Sequence, residues 1–195
     1  LLKENETLKD QLEQSQKQVA QYQQNSYELE RLQALYELDL QYYDYKKTAA
    51  RVISKDTGGW FQVFYVDKGT DDGVVEGCNV MYGNGLCGIV TEAGKDYAKV
   101  RAIIDDTSNV NGMILPSEAI CNVEGSVSNY ENGYLIAENI DKDAEVGVGD
   151  QVVTSYVSSK YLSGINIGYV TKIEEDSNNL TTVSYTHLTL PTILR

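Results

Sequence analysis

Few residues in this chain of 195 residues could carry acid–base or nucleophilic chemistry. His187 is the only histidine, so a Ser-His-Asp triad would have to use it. It lies in Thr-His-Leu at 186–188, and no acidic residue follows Asp176. The carboxylates are numerous, but their spacing does not mark any pair as a general acid and base. The sequence therefore predicts a protein that is not an enzyme, and we assign no catalytic residue.

The three cysteines, Cys78, Cys87 and Cys121, do not follow a metal-binding or redox pattern. The sequence has no Cys-x-x-Cys motif and no Cys/His spacing suited to zinc. Cys78 and Cys87 flank a predicted hairpin turn at 83–85, but they lie too far out of register for a disulfide. We interpret the cysteines as small buried apolar residues, and we predict no metal site and no cofactor.

The interval 66–90 is rich in glycine, which could cradle a phosphate or turn the chain. A phosphate-binding loop needs a helix after it, but the chain continues here as strand-like segments. A calcium loop starting at Asp67 would need glycine where Asp72 stands. We therefore interpret the glycines as turn or close-packing residues, and the same role is assigned along the chain to Gly69, Gly73, Gly85, Gly88, Gly149 and Gly164.

The formal net charge of -13 excludes two classes of direct partner. An acidic surface repels nucleic acid phosphates and anionic lipid head groups. No stretch reaches the roughly 18 apolar residues of a membrane span. Because the chain begins inside a helical pattern, we interpret it as a fragment, which leaves room for an upstream anchor.

Residues 1–47 contain neither Gly nor Pro and are rich in Gln, Glu, Lys and Leu, which favour a helix. Alternating steps of three and four residues place an apolar stripe on one face, the pattern of a coiled coil. The polar residues within it predict a modest dimer; one amphipathic helix lying on its own domain is the alternative. The stripe assigned to self-association comprises Leu1, Leu8, Leu12, Val19, Tyr22, Leu29, Tyr36 and Leu40.

After Lys47 the pattern changes to short β-branched or aromatic segments separated by Gly, Asn and Asp. The predicted fold class is mainly β with an N-terminal α-helical coiled coil and two small β-barrel-like domains. We place the first β domain at 48–104, which strands from 165–182 could complete, and the second at 105–182, with a hinge at 105–109. The predicted strand segments are 51–54, 60–66, 78–82, 86–90, 98–104, 119–123, 134–137, 151–154 and 167–173.

A set of short motifs, in order from about residue 1 to 175, resembles the rod shape-determining protein MreC family. Two positions depart from its pattern: Tyr156 follows Ser155 where the family usually has glycine, and Lys-Tyr-Leu at 160–162 replaces a Phe-Pro pair. The matching motifs are LKENETL at 2–8, ARVI at 50–53, Trp60, VDKG at 66–69, DGV at 72–74, GLCGIV at 85–90, GDQVVTS at 149–155 and GINIGYV at 164–170.

The resemblance implies a non-enzymatic scaffold of the bacterial cell-elongation machinery, which makes peptidoglycan in rod-shaped cells. It implies a protein anchored by one membrane helix, with its bulk on the extracytoplasmic face of the plasma membrane. The implied partners are a second copy of the chain, the elongation-specific penicillin-binding protein, MreD, MreB and RodA. The alternative is a periplasmic membrane-fusion adaptor of an efflux or secretion system. Such adaptors place a helical hairpin between strands, whereas here one helix precedes all the strands.

The last residues, 183–195, differ from the rest of the chain. They lack acidic residues and contain the only histidine and one of the two prolines. We interpret 183–195 as a non-native tail, which should be left out of reasoning about the fold. This interpretation predicts an open sheet edge where the native last strand would lie.

Overall fold

The computed structural model describes residues 2–42, 45–55, 62–175 and 182–186. The chain divides into two compact units, Leu1–Lys46 and Lys47–Arg195. The first contains a single long helix, α1 (Leu2–Gln41), as the absence of Gly and Pro predicts. It ends six residues before the predicted boundary at Lys47. The second unit, called the β unit below, contains all the strands in the described part of the chain.

The strands of the first half of the β unit form one five-stranded antiparallel sheet. Its strands are β1 (Val52–Lys55), β2 (Val63–Val66), β3 (Asn79–Tyr82), β4 (Gly85–Ala93) and β5 (Ala98–Ala102). The strand order is β1-β2-β5-β4-β3, so β1 and β3 are the two edge strands. The buried face is built from alternate residues such as Phe64, Leu86, Val90 and Val100.

The first domain is barrel-like only in part: its sheet is a half-barrel, because its edge strands do not pair with each other in the described residues. The physical reason is visible in β1, which has only four residues, all of them exposed. A strand without a buried face has no apolar side to wrap around a closed interior. The sheet therefore stays open.

The second half of the β unit is a closed six-stranded barrel, with strand order β10-β11-β8-β7-β6-β9. Its strands are β6 (Asn109–Leu115), β7 (Ala119–Glu124), β8 (Leu135–Ile140), β9 (Gln151–Thr154), β10 (Asn166–Glu175) and β11 (Thr182–Thr186), and a short helix α2 (Val127–Glu131) follows β7. Fully buried apolar residues alternate along these strands, including Val110, Ile114, Val123, Leu135 and Ile167. The strands of 166–186 thus build the barrel and do not complete the first sheet.

All of strand β11 except Thr182 lies in the interval interpreted as a non-native tail. It pairs antiparallel with β10 on one side and with β8 on the other. The expectation of an open sheet edge is therefore wrong for this structure, because β11 supplies the pairing that closes the barrel. The remaining residues of the interval, 187–195 with His187, lie outside the described residues.

The sheet and the barrel are joined by a tight turn at 105–108. The Ser108 amide donates a hydrogen bond to the Asp105 carbonyl at 2.7 Å, and the Gly125 amide donates to the Ser108 carbonyl at 2.9 Å. The Asp106 carboxylate accepts from the Val127 amide at 3.0 Å. The segment 105–109, expected to be a hinge, is thus hydrogen-bonded to the residue after β7 and to the first residue of α2.

Candidate interaction surfaces

The first candidate surface is the apolar stripe of α1. Of the stripe residues whose side chains are described, Leu12 is 60% exposed, Val19 52%, Tyr22 72%, Leu29 57% and Tyr36 65%. Steps of three and four residues place them on one side of the helix. Apolar side chains this exposed over about seven helical turns leave a surface that another apolar surface could cover.

Polar and charged residues cover most of the rest of α1, where Tyr27 and Leu32 are also exposed. Lys17 and Glu13 form an exposed ion pair of 2.8 Å, one helical turn apart. Leu1 lies outside the described residues, as do the side chains of Leu8 and Leu40. The described members therefore form the central part of the predicted stripe, from Leu12 to Tyr36.

No candidate metal or thiol site stands out in the described part of the chain. No group of three or more His, Cys, Asp or Glu side chains converges there. Burial raises the pKa of the Cys87 thiol to about 11 and that of Cys121 to about 12. Both thiols are therefore protonated at neutral pH, and a protonated buried thiol is a poor nucleophile. All three cysteines are free.

The predicted turn glycines fall into two structural groups. Gly73, Gly149 and Gly164 have φ angles of 83°, 98° and 84°, the left-handed region that side chains with a Cβ rarely adopt. Gly85 begins β4, and the positive φ of that hairpin falls at Gly83 instead. The other two, Gly69 and Gly88, have ordinary φ angles and a different reason to be glycine.

Close backbone approach explains the other two. A Cβ at Gly88 would lie 2.2 Å from the Arg101 carbonyl oxygen on the adjacent strand, and one at Gly69 would lie 2.3 Å from the Gly94 carbonyl oxygen. Both distances are shorter than any real contact. Gly69 begins the loop that returns under the β4–β5 turn, where the Thr70 amide donates to the Gly94 carbonyl at 2.8 Å. The absence of a side chain at these glycines allows the close packing of the backbone.

The loop at 67–72 carries the best-defined charged contacts of the sheet. Lys68 Nζ lies 2.8 Å from Asp72 Oδ1, and Asp67 Oδ1 accepts from the Arg51 amide at 2.6 Å. The hydrogen bond from Lys68 is the largest cause that lowers the pKa of Asp72, and the same bond raises the pKa of Lys68. Opposite charges saturate each other here, so the loop is not an ion-binding cluster.

The second candidate surface is an apolar one on the barrel, in the segment 156–164 that links β9 to β10. Tyr156 is 69% exposed, Val157 59% and Leu162 44%. We call these three residues the barrel patch. Sequence reasoning missed it, although two of its three members coincide with the positions that depart from the MreC pattern. Departures from the family pattern were thus the sequence signal that could have indicated this patch.

The family assignment follows from a comparison with known proteins. The family model described as "Rod shape-determining protein MreC, barrel core" matches residues 52–191. The chain belongs to the MreC family. The matched interval contains both the open sheet and the closed barrel, so the resemblance found in the sequence is confirmed.

Individual MreC relatives agree with this assignment. The cell shape-determining protein MreC of Listeria monocytogenes serovar 1/2a is 30% identical over 146 residues, which cover 73% of this chain and 48% of that protein. A solved MreC structure from Listeria monocytogenes is 27% identical, with a TM-score of 0.63, over 94% of this chain and 88% of that one. The chain spans about half the length of the curated relatives it matches.

A more distant solved structure is a complex between penicillin-binding protein PBP2 and MreC from Helicobacter pylori. Its matching chain is 18% identical, with a TM-score of 0.57, over 70% of this chain and 83% of that chain. At that identity the likeness concerns the fold. Among the described helices, none is both long and apolar enough to cross a membrane.

Proposed function

We propose that this chain is the coiled-coil and β-domain part of a non-enzymatic scaffold of the bacterial cell-elongation machinery. In this proposal α1 mediates self-association and the β unit binds the elongation-specific penicillin-binding protein. MreD, MreB and RodA are further proposed members of the same assembly. Membership of the MreC family supports the proposal most directly, since that family is described as determining rod shape.

The proposed place of action is the extracytoplasmic face of the plasma membrane, with anchoring by a helix upstream of residue 1. The acidic surface is compatible with this arrangement, because a net charge of -13 does not favour direct adsorption to anionic lipids. Membrane attachment would then depend on the anchor, and the β unit would be free to contact protein partners.

The penicillin-binding protein is proposed as a partner because an MreC of the same fold has been solved in complex with PBP2. In this chain, the barrel patch is the apolar surface we propose for that contact. Apolar residues exposed to more than half of their area, as Tyr156 and Val157 are, stabilise a complex when a partner excludes water from them.

The test is a binding measurement with the full chain and the extracytoplasmic part of its host's elongation transpeptidase. Wild-type chain should bind, and the double change Tyr156→Ser with Val157→Ser should weaken binding at least about tenfold, or roughly 1.4 kcal/mol. The matched control changes Val52→Ser and Ile53→Ser, two exposed apolar residues of edge strand β1, and should leave binding unchanged. Absence of wild-type binding at about 100 μM would reject the partner, and equal effects of the two double variants would reject the patch.

A further inference from the structure

One side chain bridges the open sheet and the barrel. Asn79 is half-buried at the start of β3, the edge strand of the sheet. Its Oδ1 accepts a hydrogen bond from the Leu162 amide at 2.7 Å. Its Nδ2 lies 3.4 Å from the Lys160 carbonyl oxygen and 3.3 Å from that of Gly77. A single amide group therefore contacts its own strand end and two backbone groups of segment 156–164.

The barrel holds the same segment from the opposite side. The fully buried Thr154 hydroxyl donates to the Leu162 carbonyl at 2.5 Å and accepts from the Ile165 amide at 2.8 Å. The Gly164 amide donates to the Thr154 carbonyl at 2.9 Å. The Leu162 peptide group is thus bonded to the barrel through its carbonyl and to the sheet through its N–H.

Between these two anchors, the Tyr161 side chain is inserted and only 4% exposed. Burial raises the pKa of its hydroxyl, while the nearby Ser108 side chain and the Arg101 charge lower it less strongly. The hydroxyl has no hydrogen-bond partner within normal geometry among the described residues. A buried hydroxyl without a partner costs free energy, so this insertion opposes part of what the Asn79 bonds contribute.

A second connection between the sheet and the barrel is made by the backbone and not by a side chain. A Cβ at Gly125 would lie 2.0 Å from the Asp105 carbonyl oxygen and 2.6 Å from that of Ile103. The Ile103 amide, in turn, donates to the Cys87 carbonyl of β4 at 2.9 Å. At the chain crossover the two parts are fixed by backbone contact. At β3 the side chain of Asn79 makes the bonds between the sheet and segment 156–164.

We propose that Asn79 is a latch: it holds segment 156–164 against β3, and its release lets this segment open locally while the sheet and the barrel stay folded. The opening would expose Tyr161 and would displace the barrel patch, which lies on the same segment. The proposal concerns this chain's own conformational equilibrium and does not depend on the proposed partners.

Hydrogen exchange of the full chain tests the latch. In the wild type the Leu162 amide should be protected, since it is bonded to Asn79. Asn79→Leu, of similar size but without the amide, should raise exchange at Leu162 at least about tenfold, the effect of losing one net hydrogen bond. Asn79→Asp keeps an acceptor for the Leu162 amide and should retain most of the protection. Exchange in β6–β8 should not change in either variant.

The matched control is Asn122→Leu, because Asn122 is a half-buried asparagine in barrel strand β7. It should leave exchange at Leu162 unchanged. Unchanged Leu162 protection in Asn79→Leu would overturn the proposal, as would a uniform rise that includes β6–β8. If Asn79→Leu does not fold, the exchange rates at Leu162 in the wild type and in Asn79→Asp test the proposal. Leu162 exchange at the rate of an unstructured peptide in the wild type, or in Asn79→Asp, overturns the latch; protection in both supports it.

Discussion

Helix α1 and the β unit differ in how far their apolar residues are shielded from water. Along α1, every side chain that is described is exposed, including the stripe from Leu12 to Tyr36. In the β unit, alternate aliphatic residues of the strands form a buried core, with Leu86, Ile114 and Leu135 at 0% exposure. The helix forms from local hydrogen bonds and leaves its apolar face uncovered. The β unit forms from distant strand pairs and covers its own.

The difference shows which unit depends on a partner. A 40-residue helix with no Gly or Pro has favourable propensity, but isolated helices in water are marginal without tertiary packing. The barrel removes its strand edges by closing, and its interior is filled by its own side chains. The comparison predicts that changes on the helix alter assembly and that changes in the β unit alter stability.

The largest expected effect is on self-association. Changing Leu12→Asp and Leu29→Asp places carboxylates on the stripe, and burying them in a helix pair would cost several kcal/mol. Sedimentation velocity should show wild-type dimers or larger species and only monomer for the double variant. The dissociation constant of the dimer should rise at least about 1,000-fold, or roughly 4.1 kcal/mol.

The matched control for this experiment is Gln14→Asp with Gln24→Asp. Both glutamines lie off the stripe and are exposed, so this variant carries the same added charge and the same loss of helix propensity. It should associate like the wild type. A wild-type chain that stays monomeric at about 100 μM would contradict the coiled-coil proposal and would leave α1 as an amphipathic helix only.

The next effect separates the two parts of the C-terminal interval. Deleting 183–195 removes nearly all of β11 from between β8 and β10 and opens the barrel. The melting temperature should fall by about 10 °C, which corresponds to roughly 3 kcal/mol for a unit of this size. Deleting only 187–195 leaves β11 in place and should leave the melting temperature unchanged.

Calorimetry of both deletions distinguishes the interpretations. Equal melting temperatures for the wild type and the longer deletion would mean that 183–186 do not stabilise the barrel, which would support an appended, non-native tail beginning at Val183. A fall caused by the shorter deletion would show that 187–195 stabilise the fold and would contradict the tail interpretation. Either result would also decide whether His187 contributes to the folded structure.

The sequence predicted elements whose pattern is local. The helix and each predicted strand segment overlap an observed element, because Gly- and Pro-free heptads and short β-branched runs are visible in the residues themselves. Strand β6 was missed: Asn109, Asn111 and Gly112 made it look like a turn, since these residues disfavour strands. Its inward positions are Val110, Gly112 and Ile114. A Cβ at Gly112 would be 2.8 Å from Cys121 Sγ.

The candidate surfaces were less predictable than the fold. The helix stripe could be read from spacing, but the barrel patch and the Asn79 bridge depend on which distant segments meet. Asn79 and Leu162 are 83 positions apart, and nothing in a strand-like asparagine indicates that its partner lies in another sheet. That the first sheet stays open was not predictable for the same reason, because closure depends on whether edge strands meet.

A smaller effect tests close packing within the open sheet. Gly88→Ala should lower the free energy of unfolding by about 2 kcal/mol, because the new Cβ would lie 2.2 Å from the Arg101 carbonyl oxygen. Gly85→Ala in the same strand is the control, since its Cβ would meet only the Asn166 carbonyl oxygen at 3.6 Å. Urea unfolding measures both. Equal stability of the two variants would show that β4 and β5 can separate at little cost.

The smallest effect concerns the Lys68–Asp72 ion pair, whose two side chains belong to the same loop at 67–72. The pKa of Asp72 lies below its ordinary value of 3.8, mainly through the Lys68 hydrogen bond. The contribution of the Asp72 carboxylate to stability is therefore present above pH 3.8 and is lost as the pH falls through the lowered pKa. The pKa of Lys68 lies above 10.5, mainly through the same bond. The contribution of Lys68 to stability is therefore present below pH 10.5 and is lost as the pH rises through the raised pKa.

Between these limits the pair keeps both charges, and Asp72→Asn should shift the melting temperature by a constant small amount from about pH 5 to pH 9. The shift should shrink toward zero as the pH falls through the lowered pKa of Asp72, because the wild-type carboxyl then becomes protonated too. The control is Asp71→Asn, on the adjacent exposed carboxylate. A difference between wild type and Asp72→Asn that grows on acidification would contradict the lowered pKa, because the pair would then be strongest where its carboxylate is neutral.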